Sequence, residues 1–559
     1  MDQKSKSPSN VEHIEFSPGA ETKSTEGKHD GTVQLTCDEG VILIPTPSQD
    51  PRDPLNIALW HKLMILSCTC LYSTMGLTSV SGLGGILAYF IPEYSAQGKS
   101  YDDINPSLFM GIGNMISMPL ALAVGRRPVF LVSCIVQVVS LVCCATNTGY
   151  TGHFTARCIL GLAAGQSSYL PLLFDAYFVS KEIFFLHERA RYQQFFSSIQ
   201  TVISGTLIIT TSYIVSTIGW RAWYYLFAGL SSVILIMAIF LVPETKYVRP
   251  LTAYKGTANE NDNTRNLVPG SDPENPKQFR QIMTVNDQRI LDTVNYLPRT
   301  LRSDMRLFIN KADWREAFYC LKHMFQVFLF PNVFWVVSMN GIFLGVNIAM
   351  GVTYGNILSG AFNWADKYIS IAQAGQVVVA FVCVPMLGYG SDIIVKFLAR
   401  RNNGVHEPEH RLLTLIIPLL LGIIFVVIYG QAAAFPERYH WMAIVFCLNG
   451  SYYSLLSDYF TFIGANMAGI TYLLDAYPTR PASSLVVLCA MRGVISFCLS
   501  YGTVSLYSNY GYDGAFGLFG GITGIFGVLG VVVYFTGKRI RKFVAPWTAV
   551  EVTGKASMG

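Results

Sequence analysis

Twelve apolar runs dominate the chain, beginning near Leu63, Pro106, Pro128, Phe154, Gln193, Trp223, Phe328, Tyr368, Leu412, Trp441, Ala482 and Ala515. Each is long enough to cross about 30 Å of hydrocarbon as a helix rising about 1.5 Å per residue. They fall into two sets of six, divided by a polar stretch from Lys246 to Gln326. Charged residues make up 13% of the 559 positions against 51% apolar ones, which leaves too little charge to solvate a water-soluble fold of this size. Lipid is therefore the expected solvent for most of the chain.

The division predicts five regions: a disordered tail (1–58), a six-helix bundle (59–245), a central loop with surface helices (246–327), a second six-helix bundle (328–537) and a short tail (538–559). The first tail is rich in Ser, Glu, Lys, Gly and Thr and has no apolar segment of the signal-peptide type. In the central loop Leu301, Met305, Phe308, Trp314, Phe318, Leu321 and Phe325 recur at helical spacing among charged residues, the pattern of a segment lying on the membrane surface.

The net charge of +5 is small, and the basic residues cluster in loops, which argues for topology and against a nucleic-acid-binding face. Arg126, Arg127, Lys181, Arg189, Arg191, Lys396, Arg400, Arg401, Arg411, Arg480, Lys538, Arg539, Arg541 and Lys542 fall on one side of the predicted spans. Only Lys99, Arg221, Lys367 and Arg438 fall on the other. Both termini and the central loop are thus expected in the cytoplasm.

The two halves also look related. Val202-Ile203-Ser204 in the fifth span and Val494-Ile495-Ser496 in the eleventh are 292 residues apart, and Glu182-Ile183-Phe184 matches Asp475-Ala476-Tyr477 at nearly the same offset. Internal repeats of six helices suggest a transporter whose halves rock around a midplane site.

Between the second and third spans, Pro119 to Pro128 ends in Gly125-Arg126-Arg127-Pro128, a tight turn with two guanidinium groups that can bind carboxylates or helix C-termini. Gly388-Tyr389-Gly390-Ser391-Asp392 with Arg400-Arg401 occupies the matching loop of the other half. Positive-inside anchoring is the competing explanation for either loop.

These segments resemble the major facilitator superfamily, and within it the fungal twelve-span drug-proton antiporter type. The resemblance runs from about Pro54 to Phe543. Its further signatures are Arg157 with Gly161 and Gly165, Phe184-Phe185-Leu186-His187-Glu188-Arg189, Gly219-Trp220-Arg221, Pro243-Glu244-Thr245, Asn402-Asn403-Gly404-Val405 with Glu407-Pro408-Glu409, and Thr471-Tyr472-Leu473-Leu474-Asp475. The resemblance implies an all-α membrane protein with the major facilitator fold, two pseudo-symmetric six-helix bundles around a central cavity. Alternating access is the implied mechanism. Gly125, Arg126, Arg127, Glu182, Glu188, Arg189, Glu244, Gly388, Asp392, Arg400 and Asp475 would form its cytoplasmic gate.

Two departures matter. The acidic residue of the first loop motif is missing, so Arg126 and Arg127 need carboxylates from elsewhere, with Glu182, Glu188 and Glu244 as candidates. The fifth span reads Ser204-Gly205-Thr206-Leu207-Ile208-Ile209-Thr210, without the family's Gly-Pro kink.

Charges at membrane depth cost roughly 2.5–3.5 kcal/mol each on insertion scales unless paired or hydrated. Asp458, Arg157, Arg492 and Asp175 are the proton-coupling candidates, led by Asp458, whose carboxyl desolvation would push towards a working pKa. A structural ion pair with Arg492 is the alternative reading of Asp458. Asn114, Gln200, Asn340, Asn347, Gln373 and Gln376 are candidates to line the substrate cavity, or to join helices to one another. Asn449-Gly450-Ser451 fits a glycosylation sequon at the start of the tenth span.

There is no G-x-x-x-x-G-K-[ST] phosphate loop and no G-x-S-x-G nucleophile turn. No enzyme activity, cofactor or metal is expected. The expected function is proton-coupled export of a drug-like compound or fungal secondary metabolite by a monomer in the cell membrane. A proton-driven importer of a nutrient or small organic cation is the alternative of opposite direction. A non-transporting receptor on the same fold is the alternative of another class.

Overall fold

A computed structural model describes residues 36–37, 40–41, 47–82, 86, 89, 93, 107–168, 183–245, 298–300, 304–307, 312–375, 377, 393–394, 397–398, 401, 407–449, 458–477 and 481–548. All of them belong to one compact unit, Val33–Gly559. The first half is built from α1 (Leu59–Ser81), α2 (Ser107–Val124), α3 (Arg126–Thr146), α4 (Tyr150–Ser168), α5 (Leu186–Ile218) and α6 (Trp220–Leu241). A surface helix, α7 (Trp314–Phe328), leads into the second half. That half contains α8 (Pro331–Gly360), a 3-10 segment Asp366–Gln373, a 3-10 turn Pro408–Leu415 running into α9 (Ile416–Ala434), α10 (Trp441–Asn449), α11 (Asp458–Ala476), α12 (Pro481–Tyr501) and α13 (Thr503–Thr548).

Among the described residues, eight helices are long and apolar enough to cross a membrane. The fourth span, α4, falls outside that set for a chemical reason: His153, Arg157 and Gln166 replace apolar side chains along it. Burial sorts the spans by position. Of the most apolar stretch of α8, 83% is buried, against 33% for α6 and α13, so α8 is a central column and the other two are peripheral. On the third, sixth, ninth and twelfth spans the exposed side chains are apolar and recur every three or four residues. Examples are Val132, Ile135 and Val139 on α3, Leu226, Leu230 and Val233 on α6, Ile417, Leu420 and Ile424 on α9, and Ile525, Val528 and Val532 on α13. Contiguous apolar surface of this extent is the surface of a protein solvated by lipid.

Within the first half, α1 packs on α4, α5 and α6, and α3 on α4 and α6, around Tyr72, Phe130, Leu141, Trp223 and Phe227. In the second half α8 packs on α11, α12 and α13, and α9 on α13. Among the described residues two seams join the halves: α2 against α12, and α5 against Asp366–Gln373. These pairs exchange under a two-fold relation between the halves.

Backbone geometry supports that relation. Three glycines adopt positive φ: Gly125 (125°), Gly219 (95°) and Gly511 (75°). Gly219 turns α5 into α6, and Gly511 breaks α13 into a short arm and the twelfth span. The two stand 292 residues apart, the offset that relates Ser204 to Ser496. A turn that non-glycine residues adopt only with strain has the same place in both repeats.

Residues 47–57, assigned to the disordered tail by composition, are folded. Asp53 is fully buried and accepts from the backbone N–H (3.0 Å) and hydroxyl (2.9 Å) of Ser48 and from the N–H of Leu55 (2.9 Å). Pro54 follows at the first position of a 3-10 turn, where its missing N–H is not needed. Leu55 then packs on Phe185, and Lys62 Nζ donates to its carbonyl at 3.0 Å.

The closest helix approach in the first half is α2 on α4, where a side chain at Gly113 would strike the Leu162 carbonyl and one at Gly165 the Met110 carbonyl. Gly165→Leu is expected to lower the thermal midpoint of the detergent-solubilised protein by several degrees, for an overpacking loss of about 1–3 kcal/mol. Gly229→Ala, whose new methyl meets nothing within 4 Å, leaves it unchanged within about a degree. Intrinsic-fluorescence melting curves check both.

Candidate functional site

At the end of the molecule carrying Gly125, the first half is locked by one carboxylate. Glu244, just past α6, accepts from the backbone N–H groups of Arg126 (3.2 Å) and Arg127 (3.1 Å) and so caps the N-terminus of α3, where the helix dipole favours an anion. A Cβ at Gly125 would lie 2.6 Å from Glu244 Oε2, so glycine is required there by space as well as by φ. Of the three carboxylates expected for the arginine loop, Glu244 is thus the one found in place. Glu182 lies outside the described residues, as do the side chains of Glu188 and Arg189.

Arg127 is buried and points the other way. Its Nη2 donates to the Ile239 carbonyl in the last turn of α6 at 2.7 Å, and its Nη1 to the carbonyls of Asp304 and, at 3.3 Å, Arg306. Arg299 pairs with Asp304 at 2.9 Å. Arg127 is therefore a strut between α3, α6 and the central loop.

The second half uses side-chain ion pairs at the same end. Arg411, in the turn before α9, pairs with Asp475 at the end of α11. Glu409 receives a two-pronged bond from Arg541 (Nε to Oε1 2.9 Å, Nη2 to Oε2 2.6 Å), and Glu407 bonds Lys538 at 2.5 Å. A Cβ at Gly537 would come within 2.8 Å of Glu409 Oε1, so glycine lets α13 approach. Gly388, Asp392 and Arg400, the other candidates from this half, lie outside the described residues.

His406-Glu407-Pro408-Glu409-His410 satisfies the H-E-x-x-H zinc-protease pattern. That chemistry needs both histidines on one face of a continuous helix. Here the helical turn starts at Pro408, Glu407 is its extended N-cap, and His410 Nδ1 closes the capping box on the Glu407 N–H. Both glutamates are engaged by the tail helix. The motif is an anchor for α13.

The candidates at membrane depth separate. Arg157 is 1% exposed; its Nη1 bonds the Tyr224 hydroxyl of α6 at 2.6 Å, while Nε and Nη2 have no hydrogen-bond partner among the described residues. His153 and Trp220 pack at the same place, and Glu93 accepts from Trp220 Nε1 (3.1 Å) and Arg221 (2.6 Å) beyond them. Arg157 thus points into the first half, between α4 and α6. Arg492 is fully buried in α12, with Nη1 on Asn466 Oδ1 at 2.6 Å. The Asp458 side chain and Asp175 lie outside the described residues.

Among the neutral polar candidates, Gln200 and Asn340 bond across helices. Gln200 Nε2 donates to Ser73 Oγ at 2.8 Å, tying α5 to α1, and Asn114 bonds its own helix at Met110. Asn340 Nδ2 bonds Val336 (3.1 Å) and approaches the Ala465 carbonyl of α11 (3.5 Å), with its Oδ1 unsatisfied. Asn347 is half-buried on α8, and Gln373 is buried at the end of the 3-10 segment. Gln376 and the side chain of Asn449 lie outside the described residues.

The seams between halves have different chemistry. Ser212 of α5 and Ser370 of the 3-10 segment meet hydroxyl to hydroxyl at 2.5 Å, and the Ser212 N–H reaches the same oxygen at 3.2 Å. A Cβ at Gly111 of α2 would lie 2.6 Å from the Ala490 carbonyl of α12, and one at Gly205 of α5 would lie 2.8 Å from Val377. Neither serine was singled out from the sequence, since a hydroxyl in a span is ordinarily absorbed by its own helix. Among the described residues, none of the ion pairs above joins one half to the other.

Two six-helix bodies, internally cross-linked and touching along two seams, are the build of a multi-pass membrane transporter. The chain belongs to the Major Facilitator Superfamily, whose family model matches residues 104–477. It is 23% identical to the MFS-type transporter C1271.10c of Schizosaccharomyces pombe, over 92% of this chain and 90% of that one. It is also 23% identical to protein HOL1 of Saccharomyces cerevisiae, over 96% and 97%. The fold is similar to that of the xylose transporter XylE of E. coli in a partially occluded inward-open conformation, with a TM-score of 0.50 and 14% identity over 86% of this chain and 98% of that one. The protein is a transporter and not an enzyme.

Glu409→Gln is expected to free the end of α13, with faster hydrogen exchange over 537–548 and a loss of about 1–3 kcal/mol for the unmatched Arg541. Lys538→Ala, at the exposed rim, does far less. The hydrogen bond from Lys538 holds the Glu407 carboxyl below its ordinary pKa. That pair therefore stabilises the fold above the ordinary carboxylate range and is lost only as pH falls through the lowered value, which exchange at stepwise lower pH checks.

Proposed function

We propose that this transporter exports a small organic solute, of the drug-like or fungal secondary-metabolite class, in exchange for protons by alternating access. The observation that carries the reading is the division of charge. Among the described residues, ion pairs and charged caps lie inside each half, whereas the seams between the halves carry hydroxyls, close-packed glycines and apolar side chains such as Met118 of α2 with Leu485 and Val486 of α12; a net hydrogen bond there is worth only about 0.5–1.5 kcal/mol. Halves built this way rock as rigid bodies, and a seam opens at little cost.

The end carrying Gly125, Glu244 and Asp475 faces the cytoplasm in this reading, with both termini, and the protein works as a monomer in the cell membrane. Basic residues concentrated at that end support the orientation. The export direction is supported by the resemblance of Gly125-Arg126-Arg127-Pro128, Pro243-Glu244-Thr245 and the loop after Phe184 to fungal drug-proton antiporters. An arginine keeps its proton throughout, so Arg157 and Arg492 act as fixed charges, and the proton is carried by a carboxylate, with Asp458 first and Asp175 second.

Deleting the gene in its host and profiling metabolites in cells and medium tests the direction. Export predicts that the solute accumulates inside the deletion strain; failure to take up a nutrient would overturn it in favour of the importer. In inside-out vesicles with an imposed proton gradient, Asp458→Asn is expected to abolish gradient-driven accumulation of that solute while leaving exchange of solute for solute. Unchanged coupling would remove Asp458 from the proton path.

A further inference from the structure

Helix α7 has three kinds of side chain on three sectors of its surface. Ala317, Cys320, Met324 and Val327 form the buried sector, which packs on α2 of the first half and α12 of the second. α7 therefore lies across one of the two seams. The N–H of Asp313, immediately before it, donates to the Ala123 carbonyl at the end of α2 (3.1 Å), and α8 begins at Pro331, just beyond its last turn.

A second stripe is apolar and uncovered. Trp314, Phe318 and Phe325, at steps of four and seven residues, are 62%, 68% and 60% exposed. At about 100° per residue these three fall within roughly 40° of one another, and about 120° round the helix from the buried sector. Arg315 and Lys322, seven residues apart and both exposed, lie next, on the side of the stripe turned away from the protein. The Arg315 guanidinium leans on Tyr319, bonding its hydroxyl at 3.3 Å. Going round the helix, the order is protein, aromatic, basic.

We propose that α7 is a lipid-anchored strap: its Trp314, Phe318 and Phe325 stripe is buried in the leaflet at the Gly125 end of the molecule, with anionic headgroups on Arg315 and Lys322. Three observations choose the bilayer over a soluble partner. The stripe runs on into lipid-facing surface, through Leu329 (74% exposed) to Phe334 on α8. α8 enters the hydrocarbon three residues after α7 ends, which sets the depth of the stripe near the interface. The order protein, aromatic, basic is also that of a helix lying in the plane of a membrane against a protein flank, with its apolar stripe down and its cations at headgroup level.

The strap has a mechanical consequence. Its buried face grips α2 and α12 together, so that this seam parts only if α7 slides on one of them. Anchoring in the leaflet resists that sliding, and the composition of the leaflet then acts on the seam. The insertion itself is independent of the direction of transport and of the coupling ion.

The test uses the full chain in nanodiscs, with Cys37, Cys143, Cys383 and the exposed Cys498 replaced by Ser and a nitroxide attached at F318C or, for comparison, Y319C. The strap predicts that the label at 318 collides several-fold more with oxygen than with a water-soluble nickel chelate, while the label at 319 shows the reverse. Equal access of the nickel chelate to both would overturn the insertion and leave the stripe as a face for a soluble partner. Replacing phosphatidylcholine by phosphatidylserine is expected to deepen and slow the label at 318, and the double variant R315Q/K322Q should lose that response. A response that survives the double variant, or none in the parent, would overturn the headgroup assignment. Because no step reads transport, a failed export reading would leave these results untouched.

Discussion

A polar group left without a partner in hydrocarbon costs several kcal/mol, and most of this architecture follows from where such groups are allowed to find partners. Backbone groups find them along each helix. At the turns, where a helix exposes its first N–H groups, the partners are side chains: Glu244 closes the start of α3, and Asp53 closes the turn before α1. Charged side chains find partners inside their own half, as Arg127 does on α6 and Arg541 on Glu409. The surfaces where the halves meet carry serines, glycines and apolar side chains instead.

Duplication explains why this solution appears twice with different chemistry. Gly219 and Gly511 occupy equivalent turns 292 residues apart, so the backbone path of the repeat has been kept. The locking chemistry has not. The first half uses a carboxylate on backbone N–H groups, and the second uses arginine and lysine from α13 on two glutamates before α9. A left-handed turn constrains the residue at one position to glycine, whereas a helix end only needs some anion within reach, and several positions can supply one.

The same distinction decides what was legible in the sequence. Spans and their division into sixes were visible because hydrophobicity is a property of the segment. The need of the Gly125 loop for a distant carboxylate was visible too, and Glu244 was among the residues named for it. Its contact was not foreseen: it binds backbone N–H groups, while Arg127 reaches past it to Ile239. The His406 to His410 pattern shows the converse: only the position of the helix start at Pro408 separates a metal motif from an anchor. Folding of residues 47–57 was hidden because composition averages over the tail, and one buried carboxylate with a following proline outweighs that average locally. The Ser212 to Ser370 contact joins residues 158 positions apart, and no single-sequence pattern marks such a pair.

Arg157 sets a condition on any coupling scheme for this protein. Its guanidinium is inside the first half, and among the described residues it has one hydrogen bond and two unsatisfied nitrogens. The groups around it are aromatic: the Tyr224 hydroxyl accepts from it, and the His153 imidazole and Trp220 indole pack edge-on against the Tyr224 ring. A fixed, poorly compensated charge raises the free energy of any positive group brought near it and lowers that of any negative one. In the second half Arg492 has Asn466 as acceptor, with its Nε unsatisfied among the described residues. The two repeats thus carry one buried guanidinium each, held by a tyrosine hydroxyl in the first and by an asparagine amide oxygen in the second.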